Sequence, residues 1–369
     1  MEKVNILVIG AGAVGLSIAK ILSEDYEDIV LVDKEESYGR HTSSRNSEVL
    51  HSGIYYPQNS LKAFHCVRGL DLLYDFCKRK DIPYKNCGKI VVATSEEELP
   101  ALEKLKENGE KNGVQGLRII EKEECRELEP QVKAIKGMFV PSTGIVDTHK
   151  LMQKLEIEAE NNDAFTVYDM EVKAIEKTDD DTYLVTFTNG EVFEVNIVIN
   201  SAGLFSDKIA EMVGIDTIKE DLKIYWCKGE YYKANTIKNI THLVYPLPDP
   251  KGIFLGIHLT INLNGEVRFG PNAYYVDDLN YAMDETYKEE FLKAVNNYIP
   301  VDSESLHLDD SGIRPKLQGP NDSFRDFYIN EETKKGFPNF INLIGIESPG
   351  LTSCLSIAEE IREIVNSLD

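Results

Sequence analysis

Gly10, Gly12 and Gly15 form the pattern Gly-Ala-Gly-Ala-Val-Gly. It follows an apolar run, Val4 to Ile9, and opens a stretch in which Leu16, Ile18, Ala19 and Leu22 recur at helical spacing. A second apolar run, Ile29 to Val32, ends in Asp33, 18 residues past Gly15. Glycines so spaced permit a tight turn, a close approach of backbone to a pyrophosphate, and close packing of helix on strand. The first helical amides, beginning with Ala13, direct partial positive charge at the phosphates. Asp33, with Lys34 beside it, is placed to accept a hydrogen bond from an adenosine ribose. The pattern predicts dinucleotide binding on a strand–helix–strand unit.

Two later segments bear on which dinucleotide. An apolar run from Glu194 to Asn200 ends at Ser201-Ala202-Gly203, as if a second crossover returned to the same nucleotide. Near the C-terminus, Gly345-Ile-Glu-Ser-Pro-Gly-Leu-Thr352 precedes a helical pattern in which Leu355, Ala358, Ile361 and Val365 share a face. A helix start at Gly350, Leu351 and Thr352 offers a second set of amides that can stabilise negative charge on a reduced isoalloxazine ring. The alternative is an ordinary cap, since Ser and Thr favour that position. Contacts from both ends of the chain favour FAD over NAD. An NAD-dependent or non-catalytic nucleotide-binding protein is the reading that a plain cap would leave.

Further motifs carry a resemblance. Ser43-Ser-Arg-Asn-Ser-Glu-Val-Leu-His-Ser-Gly-Ile-Tyr-Tyr56 resembles the flavin-contacting segment of the L-2-hydroxyglutarate dehydrogenases and oxidases. Lys228-Gly-Glu-Tyr-Tyr232, Tyr245-Pro-Leu-Pro-Asp-Pro250, Leu255-Gly-Ile-His-Leu-Thr260, Gly270-Pro-Asn272, Gly312-Ile-Arg-Pro-Lys316 and Glu347-Ser-Pro-Gly-Leu-Thr352 resemble that family in the same order. The wider group is the D-amino-acid-oxidase-like flavoproteins, which include glycerol-3-phosphate dehydrogenases and oxidases. The resemblance implies a discontinuous FAD domain, a substrate domain on an antiparallel sheet, and a cofactor lining that includes Ser43, Ser44, Val172 and Ala202. It also implies oxidation of a small L-2-hydroxy acid by hydride transfer to flavin N5. Arg45-Asn46 and Arg314-Pro-Lys316 depart from the 2-hydroxyglutarate pattern, which keeps glycerol-3-phosphate and amino-acid or amine oxidation as alternatives.

His51 is the first catalytic candidate. When hydride leaves a carbinol carbon the hydroxyl proton needs an acceptor, and an imidazole suits that role near neutrality. In related glycerophosphate oxidases the resemblance places a base at this position; a satisfied structural histidine is the alternative. Arg314 is the candidate carboxylate clamp, because a guanidinium offers two parallel donors that orient as well as attract. A structural ion pair is its alternative. His258, Tyr231, Tyr245 and Lys228 are substrate-contact candidates, and so is Ser348, unless it caps the last helix. FAD is expected to be held non-covalently. Attachment through His51 or His41 is the alternative, which acid precipitation separates. Oxygen, a quinone or another protein could be the electron acceptor.

These groups need a scaffold. Leu61 to Arg79 is predicted helical, Lys89 to Thr94 a strand, Glu96 to Asn112 a charged surface helix, and Thr148 to Asn161 another helix. Strand-like alternation runs over Val167 to Ile175 and Tyr183 to Phe187, and Asn189-Gly190 is a hairpin signal. Ile224 to Val276, rich in aromatics and Pro/Gly turns, reads as an antiparallel sheet. The expected class is α/β: a Rossmann-like FAD-binding domain from residues 1–85, 142–220 and 310–369, with a substrate domain from 86–141 and 221–309.

The remaining composition mainly excludes. A net charge of −23, from 40 basic and 63 acidic residues, argues against nucleic acid and against electrostatic docking to an anionic membrane. No apolar stretch approaches the roughly 20 residues of a spanning helix. The six cysteines lie apart without a Cys-x-x-Cys pair, so neither zinc nor a disulfide framework is expected. With no secretory leader pattern at the start, the expected address is the cytoplasm, peripheral to a membrane if the acceptor is a quinone.

Overall fold

In a computed structural model of the chain, residues 2–248 and 256–368 are described. The ends of two sequence motifs, Asp249-Pro250 and Leu255, lie outside the described residues. Glu2–Ile9, buried from Ile6 onward, is the centre of the first sheet. It pairs in parallel with Ile29–Val32 on one side and Val192–Asn200 on the other. Ile29–Val32 in turn pairs in parallel with Phe165–Val167. A strand covered on both faces needs apolar residues at every position, which is why Ile6 to Ile9 and Ile29–Val32 read as unbroken hydrophobic runs.

Val192–Asn200 divides its free edge. Its first half pairs antiparallel with Tyr183–Phe187, and its last residues pair in parallel with Phe337–Ile344. The hairpin predicted at Asn189-Gly190 is present: Gly190 adopts a φ of +91° and donates to the Phe187 carbonyl. The alternation predicted over Val167 to Ile175 is two strands, Phe165–Val167 and Val172–Lys177. Asp169, at φ +54°, turns the chain between them. Helices Ala13–Leu22, Thr148–Glu160 and Gly350–Asn366 pack together on this sheet's unit.

The chain divides into two units. One comprises Met1–Ser44, Thr148–Trp226 and Arg314–Asp369; the other comprises Arg45–Asp147 and Cys227–Ile313. This differs from the predicted division, which gave residues 45–85, 142–147 and 310–313 to the FAD domain and 221–226 to the substrate domain. For residues 45–85 and 142–147, their partners explain the shift. The side-chain amides of Asn108 and Asn112 donate to the carbonyls of Ile54, Tyr56 and Gly53, each at 2.9 Å. Val49 and Ile54 belong to the second unit's apolar core, and Gly144–Val146 pairs with Val49–Leu50 and Tyr84–Lys85.

The second unit is built on a nine-stranded sheet among the described residues. Most of its neighbours are antiparallel, as expected, but Leu243–Pro246 runs parallel to Lys89–Ala93. That pairing sets Leu243 beside Lys89 and Tyr245 beside Val91.

Candidate active site

In the first unit the glycine loop is as crowded as its sequence implies. A Cβ at Gly15 would lie 1.9 Å from the Gly10 carbonyl oxygen and 2.7 Å from Ser201 Oγ. Gly10, at φ +108°, would push a Cβ to 2.7 Å from the Ser201 carbonyl oxygen. The predicted acid braces this turn: Asp33 accepts from the Ala11 amide at 2.7 Å and from the Glu35 amide at 2.9 Å. Burial raises its pKa while those amide bonds pull the other way. A carboxylate has about four lone-pair sites, so two amides leave Asp33 able to take a ribose hydroxyl as well. Lys34 lies over the Phe205 ring at 3.9 Å.

The helix that starts at Ala13 has Gly12 as its N-cap, no side-chain cap of its own and no acid in its first turn. Ser43 Oγ accepts from the Ala13 amide at 2.9 Å. Ser44 is exposed, with its backbone amide on the His41 carbonyl. Ser201 Oγ donates to the Ile9 carbonyl at 2.9 Å, tying the end of Val192–Asn200 to the glycine turn. Ala202 follows, and a Cβ on Gly203 would meet nothing within 4 Å. Val172 packs in the core, opposite Phe187. Just before it, the Met170 amide donates to the Asp33 carbonyl, so that strand begins beside the acid.

The last helix starts at Gly350 with Pro349 as N-cap and no side-chain cap, and it too has no acid in its first turn. Ser348 is exposed and does not cap it. Leu351 is half-buried and Thr352 fully buried. Glu347 is held by Lys316 at 2.9 Å, both buried. Arg314, on the strand Leu306–Lys316, has a buried Nη1 with no hydrogen-bond partner among the described residues.

His51, in the second unit, follows the short strand Val49–Leu50, and its carbonyl accepts from the Cys66 thiol at 3.3 Å. Burial, and then the neighbouring Lys89 ammonium, push the imidazole down to about 3, so it is neutral at physiological pH. Tyr245 is fully buried, and His258 stacks on it with ring centroids 3.8 Å apart while its Nδ1 meets the Gly256 carbonyl. Tyr231 shares a hydrogen bond with Ser47 at 2.9 Å. Lys228 lies 3.5 Å from Glu230 and donates to the Ala282 carbonyl, a buried pairing that occupies its charge.

Two residues that the sequence did not single out join this cluster. Lys89 Nζ sits 4.6 Å from the ring centroids of both Tyr55 and Tyr245. Lysine at the head of an apolar strand ordinarily snorkels to water, so its type and place gave no signal.

A glycine turn braced by an acid, two helix starts without acids, and a return strand tied to the turn define a doubly wound dinucleotide-binding protein. The chain belongs to the DAO family, described as FAD dependent oxidoreductase, whose pattern it matches over residues 5–364. It is 39% identical to an L-2-hydroxyglutarate dehydrogenase, mitochondrial, of Arabidopsis thaliana, over 98% of this chain and 83% of that one. It is 32% identical to an L-2-hydroxyglutarate dehydrogenase of Indibacter alkaliphilus, over 97% and 98%. Among solved structures, the L-α-glycerophosphate oxidase of Mycoplasma pneumoniae, dithionite-reduced with FAD bound, matches with a TM-score of 0.88 at 26% identity. That match covers 99% of this chain and 95% of the other. Glycine oxidase from Geobacillus kaustophilus, at 19% identity and TM-score 0.83, shares the fold.

FAD is the cofactor of this family, and the first unit's residues fit it. Gly10 and Gly15 leave no room for side chains, and the first turn of the first helix holds no acid. Among the described residues no helix is long and apolar enough to cross a membrane, and no group of three or more His, Cys, Asp or Glu is gathered as for a metal.

Proposed function

We propose that this chain oxidises the CH–OH carbon of a small L-2-hydroxy acid, 2-hydroxyglutarate-like, to the 2-oxo acid. FAD, when bound, supplies the two-electron acceptor, taking a hydride at N5. His51 accepts the hydroxyl proton, a task for which an uncharged imidazole is the competent form. Arg314 holds the carboxylate next to the reacting carbon. Its buried, partnerless Nη1 is the observation that carries this reading, because an unsatisfied guanidinium N–H calls for an acceptor. Similarity to relatives named L-2-hydroxyglutarate dehydrogenase supports the substrate. Gly10, Gly12, Ala13, Gly15, Asp33, Lys34, Ser43, Ser44, Val172, Ala202, Gly203, Gly350, Leu351 and Thr352 are assigned to FAD. His258, Tyr231, Tyr245 and Ser348 are assigned to substrate.

Anaerobic titration of the purified flavoprotein tests the proposal. Bleaching of the flavin by L-2-hydroxyglutarate, and not by its D enantiomer, is the expected result. Glycerol 3-phosphate is the second reading, favoured by the near-complete overlap with the glycerophosphate oxidase structure. Bleaching by that compound alone would replace the first. A cytoplasmic address is also proposed, supported by six buried cysteines that form no disulfide and testable by cell fractionation.

A further inference from the structure

Among the described residues of the second unit, Lys89 is a buried charged group left without a partner. Its side chain has no accessible surface, its Nζ has no hydrogen-bond partner, and among the described residues no carboxylate pairs with it. What surrounds it is also short of acceptors. The hydroxyls of Tyr55 and Tyr245 are buried and unpartnered as well, while their ring faces lie 4.6 Å from the ammonium. Attraction to two aromatic faces offsets only part of the desolvation of a charge. Burial accordingly lowers the Lys89 pKa to about 7, and it raises both phenols, which therefore keep their protons. The cluster presents three orphaned donors and no anion. Stacking of His258 on Tyr245, with its Nδ1 at the Gly256 carbonyl, holds one wall in place.

We infer that Lys89, with the Tyr55 and Tyr245 hydroxyls, recognises an oxyanion of the substrate: the carboxylate remote from the carbon that is oxidised. The inference deepens the hydroxy-acid reading and rests on it for the identity of the oxyanion, though not for its existence. It makes Lys89 a specificity-determining residue that selects dicarboxylates over monocarboxylates of the same length. A bound anion also offsets the positive charge that faces His51, so occupancy of this site raises the proton affinity of the base.

Calorimetric titration of the flavin-loaded protein with glutarate and with pentanoate, neither of which can be oxidised as a hydroxy acid, tests this directly. Glutarate should bind more tightly, and Lys89→Met should weaken glutarate by about 10- to 100-fold while leaving pentanoate unchanged. Lys89→Arg should restore part of the preference, and Tyr55→Phe should reduce it by about 3- to 10-fold. A Lys89→Met protein that retains flavin and the full preference overturns the inference, as does a wild-type protein with no preference. Glycerol 3-phosphate and glycerol form a second pair. If Lys89→Met removes preference for the phosphate alone, Lys89 is an oxyanion site and the hydroxy-acid reading falls. If it removes preference for glutarate but L-2-hydroxyglutarate fails to bleach the flavin, the inference stands and the proposed reaction does not.

Discussion

Gly12 and Gly15 are three residues apart, yet the structure gives them different reasons to be glycine, and two alanine variants separate those reasons. A Cβ at Gly15 would lie 1.9 Å from the Gly10 carbonyl oxygen. Real Cβ contacts essentially never fall under 3.0 Å, so backbone must move by about 3.0 − 1.9 = 1.1 Å. The obstacle is main chain, and Ser201 Oγ at 2.7 Å blocks a sideways escape. Overpacking of this kind costs about 1–3 kcal/mol, equivalent to roughly 5- to 150-fold in a binding constant. At Gly12 the shortfall is only 3.0 − 2.9 = 0.1 Å, against the hydroxyl of Ser43. An alanine there disturbs the protein little and obstructs the approaching pyrophosphate instead. Gly15→Ala should therefore lower the melting temperature of the flavin-free protein, by about 2–4 °C per kcal/mol, and weaken FAD. Gly12→Ala should leave that temperature within about a degree and still weaken FAD at least 10-fold. Thermal scans of the stripped protein and fluorescence titration with FAD read both. Equal melting temperatures for the two variants would refute the steric argument, and unchanged FAD affinity in Gly12→Ala would refute the close approach.

Other predictions follow from single residues. His51→Ala should retain flavin and slow anaerobic flavin reduction by about 10²- to 10⁴-fold in stopped flow; an unchanged rate removes His51 as the base. Arg314→Lys keeps the charge but loses the fork, so substrate KM should rise by about 10- to 100-fold, with flavin content intact. Lys89 has a folded pKa of about 7 against an unfolded 10.5, so between those values the unfolded chain binds the extra proton and stability rises with pH. Below about 7 both states are charged and the full burial penalty applies. With His51, Cys66, Tyr55 and Tyr245 facing it, Lys89→Met should stabilise the substrate-free protein by about 1–4 kcal/mol near pH 6, fading toward pH 10, in denaturant titrations. Asn200→Ala removes the buried amide that donates to the Ser206 carbonyl at 2.7 Å and to Asn342 at 2.8 Å. It should cost about 1–3 kcal/mol in the same assay.

Local chemistry explains which parts were legible in the sequence. The glycine turn and the hairpin at Gly190 depend on residues within a few positions of one another, and Asp33 follows at the spacing of one strand–helix–strand unit, so their spacing showed them. The helix Leu61–Arg79 was readable to the residue because Ser60 caps it, accepting from the Ala63 amide, and because its apolar face repeats. Residues 45–85 group with the second unit through partners that are distant in sequence. Asn108 and Asn112 reach back more than fifty residues to bond the Gly53, Ile54 and Tyr56 carbonyls, and an asparagine on a charged surface helix carries no mark of that use.

The same limit applies to two lysines. Lys228 lies in a motif that resembles substrate-domain segments, but Glu230, two residues along the same strand, occupies its charge. Lys89 heads an apolar strand and draws no notice, yet strand register places it beside Leu243, two residues from Tyr245, and supplies rings but no acid. A charge becomes informative when its surroundings fail to satisfy it, and those surroundings are set by register and burial. Both Arg314 and Lys89 meet that condition, whereas Lys228 and Lys316, each paired with a glutamate, do not. For an enzyme that must hold an anionic substrate, the unsatisfied cations are therefore the sites to mutate first.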